Sequence, residues 1–197
     1  MEMNISPKNN GRCLVVLVLL LGLCLGCSSS LEPTRFINPA FDFGFVERVA
    51  VLPLENMTND RQAGDRATRL LMTELLASGA VDVVEPGEVR AALEKIAGTR
   101  RAPSTDEVVR LGSALDVQGI ILGSVNQSES LRSGTVQIPV VTLDVHMLET
   151  ETGRSVWAAT HTEKGSGAAS KFLGTGAEPI SETTRRCVRV LVGTLVE

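Results

Sequence analysis

The hydrophobic pattern changes character several times along the chain. From Cys13 to Leu25 no charged residue interrupts an apolar run, Lys8 and Arg12 precede it, and Gly26, Cys27 and three serines follow. A membrane-crossing helix needs about 20 apolar residues, so this shorter run reads as a cleaved signal segment over residues 1–26. From Ser28 to Phe45 no period is sustained. Ser, Pro, Asn and Asp mix with Phe36, Phe41, Phe43 and Phe45, the pattern of a tether partly docked by its rings.

Regular periods begin with Val46. The β-branched run Val49 to Leu52, stopped by Pro53, predicts a buried strand. Ala63, Ala67, Leu70, Leu71, Leu75 and Leu76 then recur at helical spacing up to the stop Ser78-Gly79. Val81 to Val84 predicts a second strand, and Pro86-Gly87 opens a helix with Val89, Ala92, Leu93 and Ile96 inward. Ser104-Thr105-Asp106-Glu107 is a capping box before the stripe Val108, Leu111, Leu115. Val117 to Val125 is a third strand, with close packing or a bulge at Gly119 and Gly123, and Gln127 to Gly134 reads as a polar connection. Val141, Leu143, Val145 and Met147 alternate with polar residues ahead of Glu149-Thr150-Glu151-Thr152-Gly153 and a strand from Arg154 to Glu163, which makes a hairpin. A final helix, capped by Ser181, carries Thr184, Cys187, Val188, Leu191, Val192 and Leu195 on one face. The order β-α-β-α-α-β, hairpin, α predicts an α+β fold: a mixed five-stranded sheet packed with about four helices, in one domain over residues 46–197. A chain starting at Arg48 is expected to fold alone.

Composition narrows the function. The 197 residues carry 19 Lys+Arg against 23 Asp+Glu, a net charge of −4, and six aromatic residues comprising five Phe, one Trp and no Tyr. Neither the charge nor the aromatic content suits nucleic-acid binding. Once residues 1–26 are removed, Cys27 and Cys187 are the remaining cysteines, and Cys187 on a helix's apolar face reads as a small core residue.

The segment Leu23-Cys24-Leu25-Gly26-Cys27 resembles a bacterial lipobox, with Gly26-Cys27 matching its core and Cys24 and Leu25 departing from its flanks. The resemblance implies diacylation of Cys27 and a chain that matures there. Residues 27–45 then form the lipidated Cys and tether, and several acyl chains on one Cys give a stable anchor. Ser28 instead of Asp after that Cys implies the outer membrane, at its periplasmic face.

The stretch Val49 to Asn59, the segment Glu74 to Gly79 with Val81 to Glu85, the strand Val117 to Val125 and the hairpin Leu148 to Trp157 together resemble the CsgG-like lipoproteins. The resemblance implies a fold similar to the TolB amino-terminal domain. Its members include the secretion channel CsgG, the peptidoglycan-synthase activator LpoB and many envelope lipoproteins. A channel subunit needs hairpin strands of about 9–11 residues to span the outer membrane, and Gln127 to Gly134 and Gly165 to Gly176 are short and polar. An LpoB-type activator needs a long tether, whereas Ser28 to Phe45 reaches at most about 60 Å. The expected role is therefore a non-enzymatic module that binds an envelope protein, with self-association left open and the channel and activator as alternatives.

No catalytic, cofactor or metal site is expected. His146 and His161 are set out of step on facing strands, His146 opposite a residue near Trp157 and His161 opposite one near Thr142, so they do not share a metal. Gly165 to Lys171 is Gly-rich like a phosphate loop, but Ser170 and Phe172 flank the lysine where Gly and Ser or Thr are needed. Glu149 and Glu151 read as solvated turn carboxylates. Trp157, with Lys171 in the nearby Gly-rich loop, is the candidate partner contact, with a core residue as the other reading of Trp157.

Overall fold

In the computed structural model, residues 32–98, 102–133, 136–165 and 178–196 are described. They hold seven strands and four helices: β1 (Thr34–Ile37), β2 (Arg48–Val51), β3 (Glu55–Asn56), α1 (Ala63–Ser78), β4 (Asp82–Val83), α2 (Pro86–Ala97), α3 (Thr105–Leu115), β5 (Gly119–Ser133), β6 (Val136–Glu149), β7 (Ser155–Lys164) and α4 (Ile180–Val196). The α+β class is as expected. All strands join one mixed sheet in the order β1-β7-β6-β5-β2-β4, with β3 beside β5. β4, β2 and β5 are parallel neighbours and β5, β6, β7 and β1 run antiparallel. The count is seven instead of five because β1 and β3 carry no buried alternation.

The alternation of strand side chains sorts the core into two layers. Val49, Val51, Ile121, Leu143 and Val145 face α1 and α4, where Leu71, Leu75, Cys187 and Leu191 fill the same cluster. Ala50, Leu52 and Ile120 face the other way, onto Val89 of α2 and Val108, Leu111 and Leu115 of α3. The Arg189 guanidinium pairs with Glu74 at 3.1 Å and ties α4 to α1. The capping box forms: the Ser104 N–H donates to Glu107 Oε2 at 2.7 Å.

Three expectations change. Part of the expected tether is sheet, since Thr34–Ile37 pairs with β7, while the docking expected of its rings is seen at Phe41 and Phe43, which pack on the core. The connection expected at 127–134 is mostly strand, because a register shift between Val125 and Gln127 lets β5 bend and continue to Ser133. The hairpin register is as expected: His146 lies opposite Ala158, next to Trp157, and His161 opposite Leu143, next to Thr142. The last helix starts at Ile180, where the Glu182 N–H donates to Pro179 O at 3.0 Å, so Ser181 sits inside the first turn instead of capping it.

Candidate interaction surfaces

Trp157 is 1% exposed, and its Nε1–H donates to Thr194 Oγ1 on α4 at 3.1 Å. That removes it as a surface contact: the ring points to the α4 side of the sheet and its one polar atom is satisfied. Cys27 and Lys171 lie outside the described residues. Cys187 is buried, and burial, with Glu163 nearby, pushes its thiol up to about 12. His146 and His161 lie on opposite faces. Burial holds His146 below the ordinary imidazole value against the opposing charge of Asp144, whereas His161 is 2% exposed and bonds Glu163 through Nε2 at 3.1 Å. Among the described residues no group of three or more His, Cys, Asp or Glu side chains could hold a metal ion.

What the fold offers a partner is surface. α2 and α3 cover β2, the first part of β5 and Leu148 near the end of β6. Beyond them, Thr142, Asp144 and His146 of β6 and Thr160 and Thr162 of β7 are half-buried and polar, on a face that no described helix covers. Thr142 Oγ1 and Thr162 Oγ1 stand 2.9 Å apart across the two strands. This is a hydroxyl-rich face whose Asp144 and His146 border a hollow of about 220 Å³, walled also by Pro53, Glu55 and Ala102.

Two further hollows flank the sheet. A cleft of about 720 Å³ lies between the 3₁₀ segment Phe43–Phe45, α3 and the β6–β7 turn, and its wall includes Asp42, Asp116, Glu149, Glu151 and Arg154. Glu149 is not the solvated turn residue expected. It accepts from the Glu151 N–H at 2.8 Å, the Thr152 N–H at 3.1 Å and the Thr152 hydroxyl. Burial pushes its carboxyl up, and these bonds with the Arg154 N–H outweigh that and hold it below the ordinary range. The turn folds around a carboxylate, and Gly153 at φ 70° completes it in a conformation that side chains resist. A second hollow of about 470 Å³ is apolar, walled by Ile37, Phe43, Val81, Leu195 and Val196 above Trp157.

Two polar networks escaped the sequence reading. Arg66 on α1 reaches Asp60 Oδ2 at 2.5 Å, Ser128 Oγ on β5 at 3.0 Å and Thr184 Oγ1 on α4 at 3.4 Å. Burial alone would raise Asp60, and the bonds from Arg66, Gln62 and Ser128 lower it overall. At the far end of α4, Arg186 bonds Glu163 at 3.0 Å and Glu178 at 2.5 Å, so one guanidinium links β7 to the residues before the helix. Arg66 meets Ser128 and Thr184 from more than sixty residues away, which leaves no local spacing to read.

No protein-family model matches the chain, and no curated protein matches its sequence. Solved structures share the fold. The PelC dodecamer from Paraburkholderia phytofirmans aligns at TM-score 0.58 and 18% identity over 84% of this chain and 99% of that one. Lipoprotein GNA1162 from Neisseria meningitidis aligns at TM-score 0.52 and 13% identity over 66% of this chain and 91% of its own. The LpoB carboxy-terminal domain from Salmonella enterica aligns at TM-score 0.48 and 15% identity over 64% and 86% of the two chains, too loosely to carry an argument.

Proposed function

We propose that this chain is an outer-membrane lipoprotein, anchored at the periplasmic face by acyl groups on Cys27, that works by binding other proteins of the envelope. It is not an enzyme in this reading. The observation that carries it is the half-covered sheet: Thr142, Asp144, His146, Thr160 and Thr162 form a surface that no described helix of the chain itself covers. The apolar run ending at Gly26-Cys27 supports the anchor, and the shared fold with a protein described as a lipoprotein agrees with it. Among the described residues no helix is long and apolar enough to cross a membrane. The PelC structure is a dodecamer, and self-association is part of the proposal for this chain.

The alternatives fare less well for physical reasons. β5 and β6, at 15 and 14 residues, are long enough to span a membrane as hairpin strands. Composition argues against it: past the bulge, one row of β5 reads Gln127, Glu129, Leu131 and the other Ser128, Ser130, Arg132, so β5 offers lipid no continuous apolar face. An activator that must cross the peptidoglycan is poorly served, since β1 takes residues from the stretch that would serve as tether.

Photo-crosslinking in cells tests the binding surface. A photoreactive residue at Thr160 or His146 should trap one discrete envelope protein or a second copy of the chain, and the same residue at Arg69 on the outer side of α1 should not. Equal trapping from all three positions, or none from the sheet, contradicts the reading.

A further inference from the structure

We propose that two copies of the chain pair antiparallel through β1, joining their sheets edge to edge. β1 ends the sheet, with β7 on one side and, among the described residues, no strand on the other. All four of its residues are exposed, and Phe36 and Ile37 are 49% and 42% exposed, unusual values for large apolar side chains on a strand.

The register decides which main-chain groups face outward. The Asn38 N–H donates to Val156 O at 2.8 Å, and the Cα register pairs Phe36 with Ala158 and Thr34 with Thr160. Hydrogen-bonded and non-bonded pairs alternate along an antiparallel ladder, so positions 34, 36 and 38 spend their polar groups on β7. Positions 33, 35, 37 and 39 turn theirs to the outer edge. Two of these are Pro33 and Pro39, which have no N–H to offer. The prolines close the edge to a long strand and leave a window of five residues between them, centred on Phe36.

A two-fold axis through Phe36 makes that window self-complementary. Ile37 then faces Arg35 of the partner subunit in a hydrogen-bonding pair, and the dyad repeats the pair on its other side. Pro33 faces Pro39 of the partner subunit, so the new ladder stops at both ends where no donor is left over. A register displaced by two residues sets a proline against Ile37 or Arg35 and keeps the same number of main-chain bonds, but it no longer brings Phe36 against its own copy, so the ring pair is what selects the centred register. At the axis Phe36 meets Phe36 of the partner subunit in a non-hydrogen-bonded pair, the arrangement with the closest side chains, and the ring that is exposed in one copy is covered in two. The inference deepens the self-association proposed above and fails separately from it.

The test uses the full chain in three variants, Phe36→Cys, Thr34→Cys and Phe45→Cys, each oxidised beside the wild type. Cα atoms about 4.5 Å apart across such a pair lie within reach of a disulfide, so Phe36→Cys should give a disulfide-linked dimer. Thr34→Cys, which faces Asn38 of the partner subunit, and Phe45→Cys should stay at the wild-type level. Ile37→Pro removes an outward N–H and leaves the β7 ladder intact, so it should raise the dimer dissociation constant about tenfold or more in sedimentation with the thermal transition kept. A monomeric wild type overturns the pairing, as does linkage that is equal among the three cysteines or an extended segment of another protein trapped at Phe36. A larger oligomer indifferent to these variants overturns it too, while leaving self-association through another surface in place.

Discussion

At the residue scale the Glu149 carboxylate makes the clearest statement about pH. Its folded value lies below the ordinary one because hydrogen bonds outweigh burial. A carboxyl depressed in this way contributes stability in full above the unfolded value, about 4.3 for Glu, and the contribution is lost as pH falls through the folded value. Asp60 acts in the same sense through Arg66. The melting temperature should therefore fall on acidification below about pH 4. Glu149→Gln should cost about 1–3 kcal/mol at pH 7 by thermal or urea unfolding and flatten the acid limb. An unchanged acid limb would show that the turn does not depend on this carboxylate. Cys187 gives a second check: with its thiol pushed up to about 12 by burial, it should resist a thiol reagent in the native chain at pH 8 and react on unfolding. Sequence placed Cys187 correctly because a helical face predicts burial. It misjudged Glu149 and left Trp157 open between core and surface, since neither a turn's internal hydrogen bonds nor the choice of sheet face for one aromatic residue has a periodic signal.

At the element scale, the helices and the strands that alternate between core and surface were legible within a few residues. β1 was not, because a strand with all four residues exposed has no apolar period to show. The end of β5 was hidden by the register shift after Val125, which breaks the alternation just where both rows turn polar. The close packing expected at Gly123 is present: a Cβ there would fall on the Asp144 carbonyl oxygen of β6 and on the Val145 backbone. Gly123→Ala should destabilise the chain by about 1–3 kcal/mol, since main chain cannot move aside as a side-chain tip can. A melting temperature equal to wild type would mean that the two strands are not held that close.

At the scale of the whole molecule, one layer of the core is built by α1 and α4 and a smaller one by α2 and α3, and no described helix covers the β6–β7–β1 half of the second face. The segment before β2 belongs to this assembly. Trimming the chain to Arg48–Glu197 removes β1 and the packing of Phe41, Phe43 and Val46, and should cost about 3 kcal/mol or more relative to a chain beginning at Glu32. Trp157 fluorescence should shift to the red in the trimmed chain as its apolar hollow opens. Equal stability of the two lengths would return residues 32–47 to the role of a simple tether. The central claim, a module held at the membrane by lipid, is tested most directly by the intact mass of the mature chain recovered from membranes: it predicts a chain that begins at Cys27 and carries acyl groups, and a chain that keeps residues 1–26, or begins elsewhere without acyl groups, would contradict it.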